Sequence, residues 1–249
     1  PQTRANYLSH LGAVIRLAKP AWGYPLSEPA YNDAVTVAKH LGLTAKSDQR
    51  DRRPTLDELD KLLTFYALNR STRKDSIPMQ EIVMFALFST RRQEEITKIT
   101  FEDLDEAHSD IWVRDMKHPD EKLGNDVRTK LPPPALALIL KRRKTPDQKG
   151  RIFPHNRNSL SSNFTKACQV LGIEDLCFHD LRHEGVTRLF EMGQGIPQVA
   201  TVSGHRSWAT LKRYTHIRSS GDKYAGWIWL EKMGIAPAPA QPAAAELAA

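Results

Sequence analysis

The sequence predicts an α+β fold, mainly helical, with one small antiparallel sheet. Three observations carry that expectation. Apolar residues recur at three- and four-residue spacing through most of the chain, the period of a helix with one packed face. Residues 101–131 break that period with short stretches around Ile111, Val113 and 127–131 that read as strands. The 249 residues, 40% hydrophobic and 26% charged, match an ordinary globular chain with room for one full domain and part of another.

Residues 1–50 read as helical, with Tyr7, Leu8, Leu11, Val14, Ile15, Leu17 and Ala18 at packing intervals. WGYPLSEP, at 22–29, interrupts them with two prolines and a glycine. This segment is short for a domain and begins inside a helical pattern. It is expected to be the C-terminal part of a helical domain, joined through the charge-dense KSDQRDRR to a main domain over 51–233.

That domain opens on PTLDELDKLLTFY, where Thr55 and Glu58 have capping-box spacing. The apolar IVMFALFST then runs into RRQEEITKI, a second helical stretch. Two short strands joined by MKHPDEKLGND follow. PPPALALILKRR returns to helix, with prolines in the first turn, where a missing N–H costs little. NSLSSNFTKACQVLGI, HDLRHEGVTRLFEMG and IPQVATVSGH are further helices, separated by glycine-bearing breaks. Residues 234–249 form a low-complexity tail.

Composition narrows the function classes. No apolar run has the length of a membrane span, and no charged-then-apolar leader follows Pro1. Cys168 and Cys177 are too few for a disulfide framework and are expected as reduced, buried thiols, so the chain is placed in the cytoplasm. A net charge of +7 is compatible with a polyanionic partner.

Four features, in order, bear on chemistry. Arg92 and Glu95 are three apart, so the carboxylate can orient the guanidinium. Lys117 lies in the loop between the strands, where Lys122, Arg128 and Lys130 compete with it. His179 and Arg182, in HDLRH, share a helix face as a phosphate-binding pair would. His183, one turn beyond His179, raises a metal pair, but no third ligand cluster accompanies it and HExxH is absent. In SGHRSWATLKRYTH, His205 precedes Tyr214 by nine residues, so a loop or helix start can present His205 while a following helix carries Tyr214 to the same centre, and Lys212, Arg213 and His216 put positive charge beside the phenol. Each feature alone has a commonplace explanation: a surface ion pair, a solvated turn lysine, a half-buried tyrosine.

Together they resemble the tyrosine site-specific recombinases, the phage integrase family, over roughly residues 54–220. The resemblance implies a tyrosine recombinase catalytic domain, with residues 1–45 similar to the last helices of the family's core-binding domain. It implies that Arg92 and Arg182 clamp the scissile phosphate, that Glu95 holds Arg92, and that His205 donates to the phosphate. His179 would accept the tyrosine proton or hydrogen-bond to the phenol, and Lys117 would protonate the departing 5′ oxygen. Tyr214 would form a 3′-phosphotyrosyl link, with strand exchange through a Holliday junction and neither metal nor other cofactor.

The partners implied are a double-stranded DNA recombination site and further copies of the chain, a tetramer on DNA, with room for accessory DNA-bending proteins. Integration or excision of a mobile element is the expected use, and weak DNA binding by this chain alone is expected. Other readings are a type IB topoisomerase-like enzyme and a non-catalytic DNA-binding module of the same fold. A relaxase-type nuclease lacks support because no His-x-His occurs.

Two positions depart from the family pattern. Thr90 stands where a glycine is frequent, with Arg91 beside Arg92, and Ser203 stands where leucine is usual before Gly-His. The amphipathic SSGDKYAGWIWLEKMG after Tyr214 has two readings, docking on a neighbouring protomer or packing on its own domain.

Overall fold

The computed structural model describes residues 1–45, 50–73, 76–116 and 124–236. The chain folds as two units, Pro1–Arg50 and Asp51–Ala249. In the first, α1 (Gln2–Trp22) ends at Gly23, whose φ of 76° is a left-handed cap that glycine adopts without a Cβ clash. Ser27 caps α2 (Glu28–His40) by accepting from the Ala30 N–H at 3.2 Å. The helices meet where Tyr31 donates to the Leu8 carbonyl at 2.7 Å. A Cβ on Gly12 would sit 2.4 Å from that phenol oxygen, so glycine permits the approach.

The second unit begins with α3 (Leu56–Thr72), closed by the expected capping box. The Glu58 N–H donates to Thr55 Oγ1 at 3.1 Å, and the Thr55 N–H donates to the Glu58 carboxylate at 2.8 Å. Helix α4 (Met79–Ser89) is buried over its whole length except at Gln80 and Glu81. An apolar helix of that kind is a domain's centre, and α4 packs against α3, α6 (Pro133–Arg142), α7 (Arg157–Val170) and α8 (Asp180–Glu191).

The second helical stretch expected over RRQEEITKI begins only after Arg92. Thr90 takes φ 58°, ψ 20°, which ends α4, and α5 (Gln93–Lys98) restarts with Arg92 as its N-cap. The sheet has three antiparallel strands in the order β1 (Leu104–Asp105), β2 (Asp110–Val113), β3 (Val127–Lys130). Leu104 pairs with Ile111, and Ile111 with Thr129. The first strand was not expected, because two residues are too few to show a period.

Helix α9 (Ile196–Ser203) ends at Gly204, φ 70°. The expected helix bearing Tyr214 is instead two 3-10 turns, Trp208–Thr210 and Lys212–Tyr214. The amphipathic C-terminal segment gives α10 (Ile228–Lys232). Trp227, Trp229, Leu230, Met233 and Ile235 join the main core, and the Trp227 indole donates to Asp60 at 2.8 Å. In this chain, then, the segment packs on its own domain. Cys168 is buried as expected, whereas Cys177 is only half-buried. Among the described residues no helix is long and apolar enough to cross a membrane.

Candidate active site

Thr90 explains how the first basic group is placed. Its left-handed turn reverses the chain at the end of α4, turning the Arg91 side chain inward while Arg92 keeps 30% of its side chain exposed. The Arg92–Glu95 pair therefore arises from a helix cap and not from a shared helix face. Glu95 accepts the Arg92 backbone N–H at 3.0 Å and its guanidinium at 2.7 Å.

Arg182 reaches the same place from α8. Its guanidinium donates to the Thr90 carbonyl at 2.5 Å, to the Ser203 carbonyl at 3.1 Å, and to His205 Nε2 at 3.2 Å. A guanidinium only donates, so Nε2 is the acceptor and the ring proton lies on Nδ1, 2.7 Å from Ser203 Oγ. Three cations thus face one carboxylate: Glu95 lies 2.7 Å from Arg92, 3.7 Å from Arg91 and 4.0 Å from Arg182. The excess positive charge makes the cluster a seat for an anion.

The titrating groups respond to that excess. Burial pushes the Glu95 carboxyl up, but Arg91, Arg182 and Arg92 outweigh it and hold it down at about 2. Burial and then Arg92 lower Arg182 to about 9, still charged at neutral pH. Burial, with Arg182, Arg92 and Arg91, presses His205 down to about 3, so its ring is neutral. Burial and Arg182 also lower His179.

Tyr214 is 9% exposed and sits in a second apolar cluster with Val186, Leu189, Phe190, Val199, Val202 and Leu211. Its ring stacks on Phe190 at 5.8 Å, and the Arg213 guanidinium lies 5.2 Å from its centroid. Burial raises the phenol above its ordinary value against the pull of Arg213 and Arg182. The group hydrogen-bonded to the phenol is His183, Nδ1 to Oη 2.8 Å, and not His179 as the sequence suggested. His179 stands against His183 edge to face, ring centroids 4.9 Å apart.

After Tyr214 the chain is tied back to α8. The Ser220 and Gly221 N–H groups donate to the Glu191 carbonyl at 2.9 Å. Arg188 forks onto Asp222 at 2.7 and 2.6 Å. Fully buried Glu184 accepts from Lys223 at 2.9 Å, Tyr224 at 2.8 Å and Arg53 at 2.6 Å.

Arg92, Glu95, Arg182 and His205 are thus brought together, and Tyr214 and His179 meet through His183. Lys117 and Lys122 lie outside the described residues. Their competitors are engaged by carboxylates: Arg128 meets Asp105 and Asp110, and Lys130 meets Asp110 at 3.5 Å. Sequence reasoning weighed His183 only as half of a metal pair and Arg91 only as the neighbour of Arg92, and gave neither a role at the site. The i,i+4 spacing of His183 from His179 was the available signal for the first, and the doubled arginine for the second. Among the described residues no group of His, Cys, Asp or Glu could hold a metal ion.

The chain is 30% identical over 213 residues to the shufflon-specific DNA recombinase of Escherichia coli, covering 85% of this chain and 50% of that protein. It is 22% identical over 232 residues to the integrase of Salmonella phage P22, 86% of this chain and 54% of that one. The chain therefore spans about half the length of the curated relatives it matches. Its fold is similar to that of a lambda integrase dimer bound to a COC′ core site, with a TM-score of 0.55 at 18% identity, over 84% of this chain and 57% of that one. The model of the phage integrase family matches residues 52–220, the stretch that holds every basic residue of the cluster as well as Tyr214, and the chain belongs to that family.

Proposed function

We propose that the protein is a site-specific DNA recombinase that cuts and rejoins DNA through a phosphotyrosyl intermediate on Tyr214. The observation that carries this is the gathering of Arg92, Arg182 and His205 around Glu95, with the Tyr214 phenol held on α8 by the residue next to Arg182. Permanently charged, planar arginines suit a phosphodiester whose transition state carries more negative charge than its ground state.

In this reading the phosphate occupies the anion seat, contacted by Arg92 and Arg182, and its charge brings a proton onto His205, which then donates to a non-bridging oxygen. Glu95 holds Arg92, and Lys117 protonates the leaving 5′ oxygen. The tyrosine proton passes to the histidine pair at the start of α8, His179 and His183. The phosphotyrosyl bond stores the energy of the broken diester, so a 5′ hydroxyl from a second duplex reverses the step without ATP or metal. Exchange between two duplexes needs four cleavages and each chain brings one nucleophilic tyrosine, so four copies meet on a Holliday junction.

Double-stranded DNA is the substrate, and integration or excision of a mobile element is the use that fits the phage relative. Residues 1–50 belong, in this reading, to a DNA-clamping helical domain, and 51–233 to the catalytic one. The test is a nicked suicide duplex bearing a site recovered with this chain from a random-sequence pool. Wild type forms a covalent adduct and Tyr214→Phe forms none. An adduct that survives Tyr214→Phe sinks the proposal, and relaxation of supercoiled plasmid without recombined product favours a type IB topoisomerase-like activity.

A further inference from the structure

The two histidines at the start of α8, His179 as its N-cap and His183 one turn in, are not equivalent. His183 Nδ1 lies 2.8 Å from the Tyr214 oxygen, at hydrogen-bond distance, while His179 touches His183 and, among the described residues, makes no hydrogen bond to the phenol. The interplanar angle of 87° puts one histidine edge against the other's face, which holds the His183 ring in a fixed orientation. The phenol is held from its other sides by Phe190, stacked at 11°, and by Arg213, itself paired with Asp51 at 2.5 Å.

We propose that His183, through Nδ1, receives the Tyr214 proton as the phenol oxygen attacks phosphorus, and that His179 is a positioning residue for the His183 ring. This rests on the reading of Tyr214 as nucleophile. The Oη–P bond forms as the P–O5′ bond breaks, and the phenol proton moves to Nδ1. The 5′ oxygen leaves with its electron pair and takes a proton from the hairpin lysine assigned as Lys117. In the return step a 5′ hydroxyl attacks, the P–Oη bond breaks, and Nδ1 returns its proton to Oη.

Two further facts support the assignment. Burial raises the phenol's pKa, so phenolate is scarce at neutral pH and the attack needs an adjacent acceptor. Burial, then His179 and Arg213, hold His183 down at about 4, so its ring is neutral in the unbound protein, and the negative charge of a phosphate beside it would raise its affinity for the phenol proton. Consecutive positions on α8 then divide the work, with Arg182 for the phosphate and His183 for the proton.

The test is single-turnover cleavage of the nicked duplex described above. His183→Gln keeps a hydrogen-bonding group but cannot take up the proton. It should cleave on the order of 100-fold slower or worse, with gel-shift affinity unchanged and a smaller loss for His179→Gln. Wild-type cleavage by His183→Gln overturns the proposal, as does a loss confined to His179→Gln. A second measurement needs no DNA. In chain labelled with 15N-histidine, the His183 Nδ1 resonance should move on Tyr214→Phe, and an unmoved resonance overturns the assignment. Failure of the wild type to form any adduct, or an adduct with Tyr214→Phe, counts instead against Tyr214 as nucleophile, so the two failures are told apart.

Discussion

Thr90 is a β-branched residue in a left-handed conformation, φ 58°, where its Cβ is strained. Its carbonyl receives Arg182, so the strained turn is part of how the anion seat is built. Thr90→Gly should therefore raise stability by about 1 kcal/mol by removing that strain. The check is the urea midpoint, and a fall would mean that the threonine's packing outweighs its strain. His205 offers a second residue-scale test. Its Nε2 accepts from Arg182 in this structure, so it donates to a phosphate only after gaining a proton. Saturating inorganic phosphate should raise its pKa from about 3, followed by histidine NMR. A value unmoved by phosphate would remove His205 from the phosphate contacts.

At the scale of elements, α4 and α8 must lie very close, because one carries the Thr90 turn and the other carries Arg182 and His183. Gly185 permits it: a Cβ there would stand 2.2 Å from the Leu87 carbonyl oxygen. Gly185→Ala should push the helices apart, at a cost of about 1–3 kcal/mol or more. DNA cleavage should fall further than stability does. Calorimetry and adduct formation on the same preparation check this, and a variant with wild-type stability would show that the helices have slack. On α3, Thr55→Ala removes one side of a capping box and should cost about 1 kcal/mol, read from the denaturation midpoint.

On the acid side, the pKa shifts of the second unit add in one direction. His183 near 4 and His205 near 3 lie below the ordinary histidine value of 6.5, so the unfolded chain binds more protons between those limits. Their stabilising contribution is present above pH 6.5 and is lost as pH falls toward 3. Glu95, near 2 against 4.5, adds a loss below pH 4.5. Stability should fall steadily on acidification from pH 6.5, and the double variant His183→Gln, His205→Gln should flatten the upper part of that fall in denaturant titrations. The same unit depends on Arg53, which joins the segment before α3 to Glu184 and Glu191 on α8. Arg53→Met leaves the fully buried Glu184 short of a partner and should cost about 3 kcal/mol.

How much was legible follows from the range of each interaction. Helices α3, α4, α6, α7, α8 and α9 were readable because apolar period, caps and glycine breaks are local. Arg92, Arg182, His205 and Tyr214 could be nominated because their order along the chain is itself a pattern. The interruption at Thr90 was not readable, since a left-handed threonine is tolerated only through the packing around it. The short strand β1 exists only through its pairing with β2, and Tyr214 lies on a 3-10 turn because its ring is fixed by Phe190 and not by a helical period. Nor could spacing choose between His179 and His183, one turn apart at the start of one helix. That choice belongs to the way α8 and the turn at Lys212–Tyr214 meet, which brings Nδ1 of one ring to 2.8 Å from the phenol. Residue types and their order name the chemistry, and packing between segments far apart in the chain assigns each proton its partner.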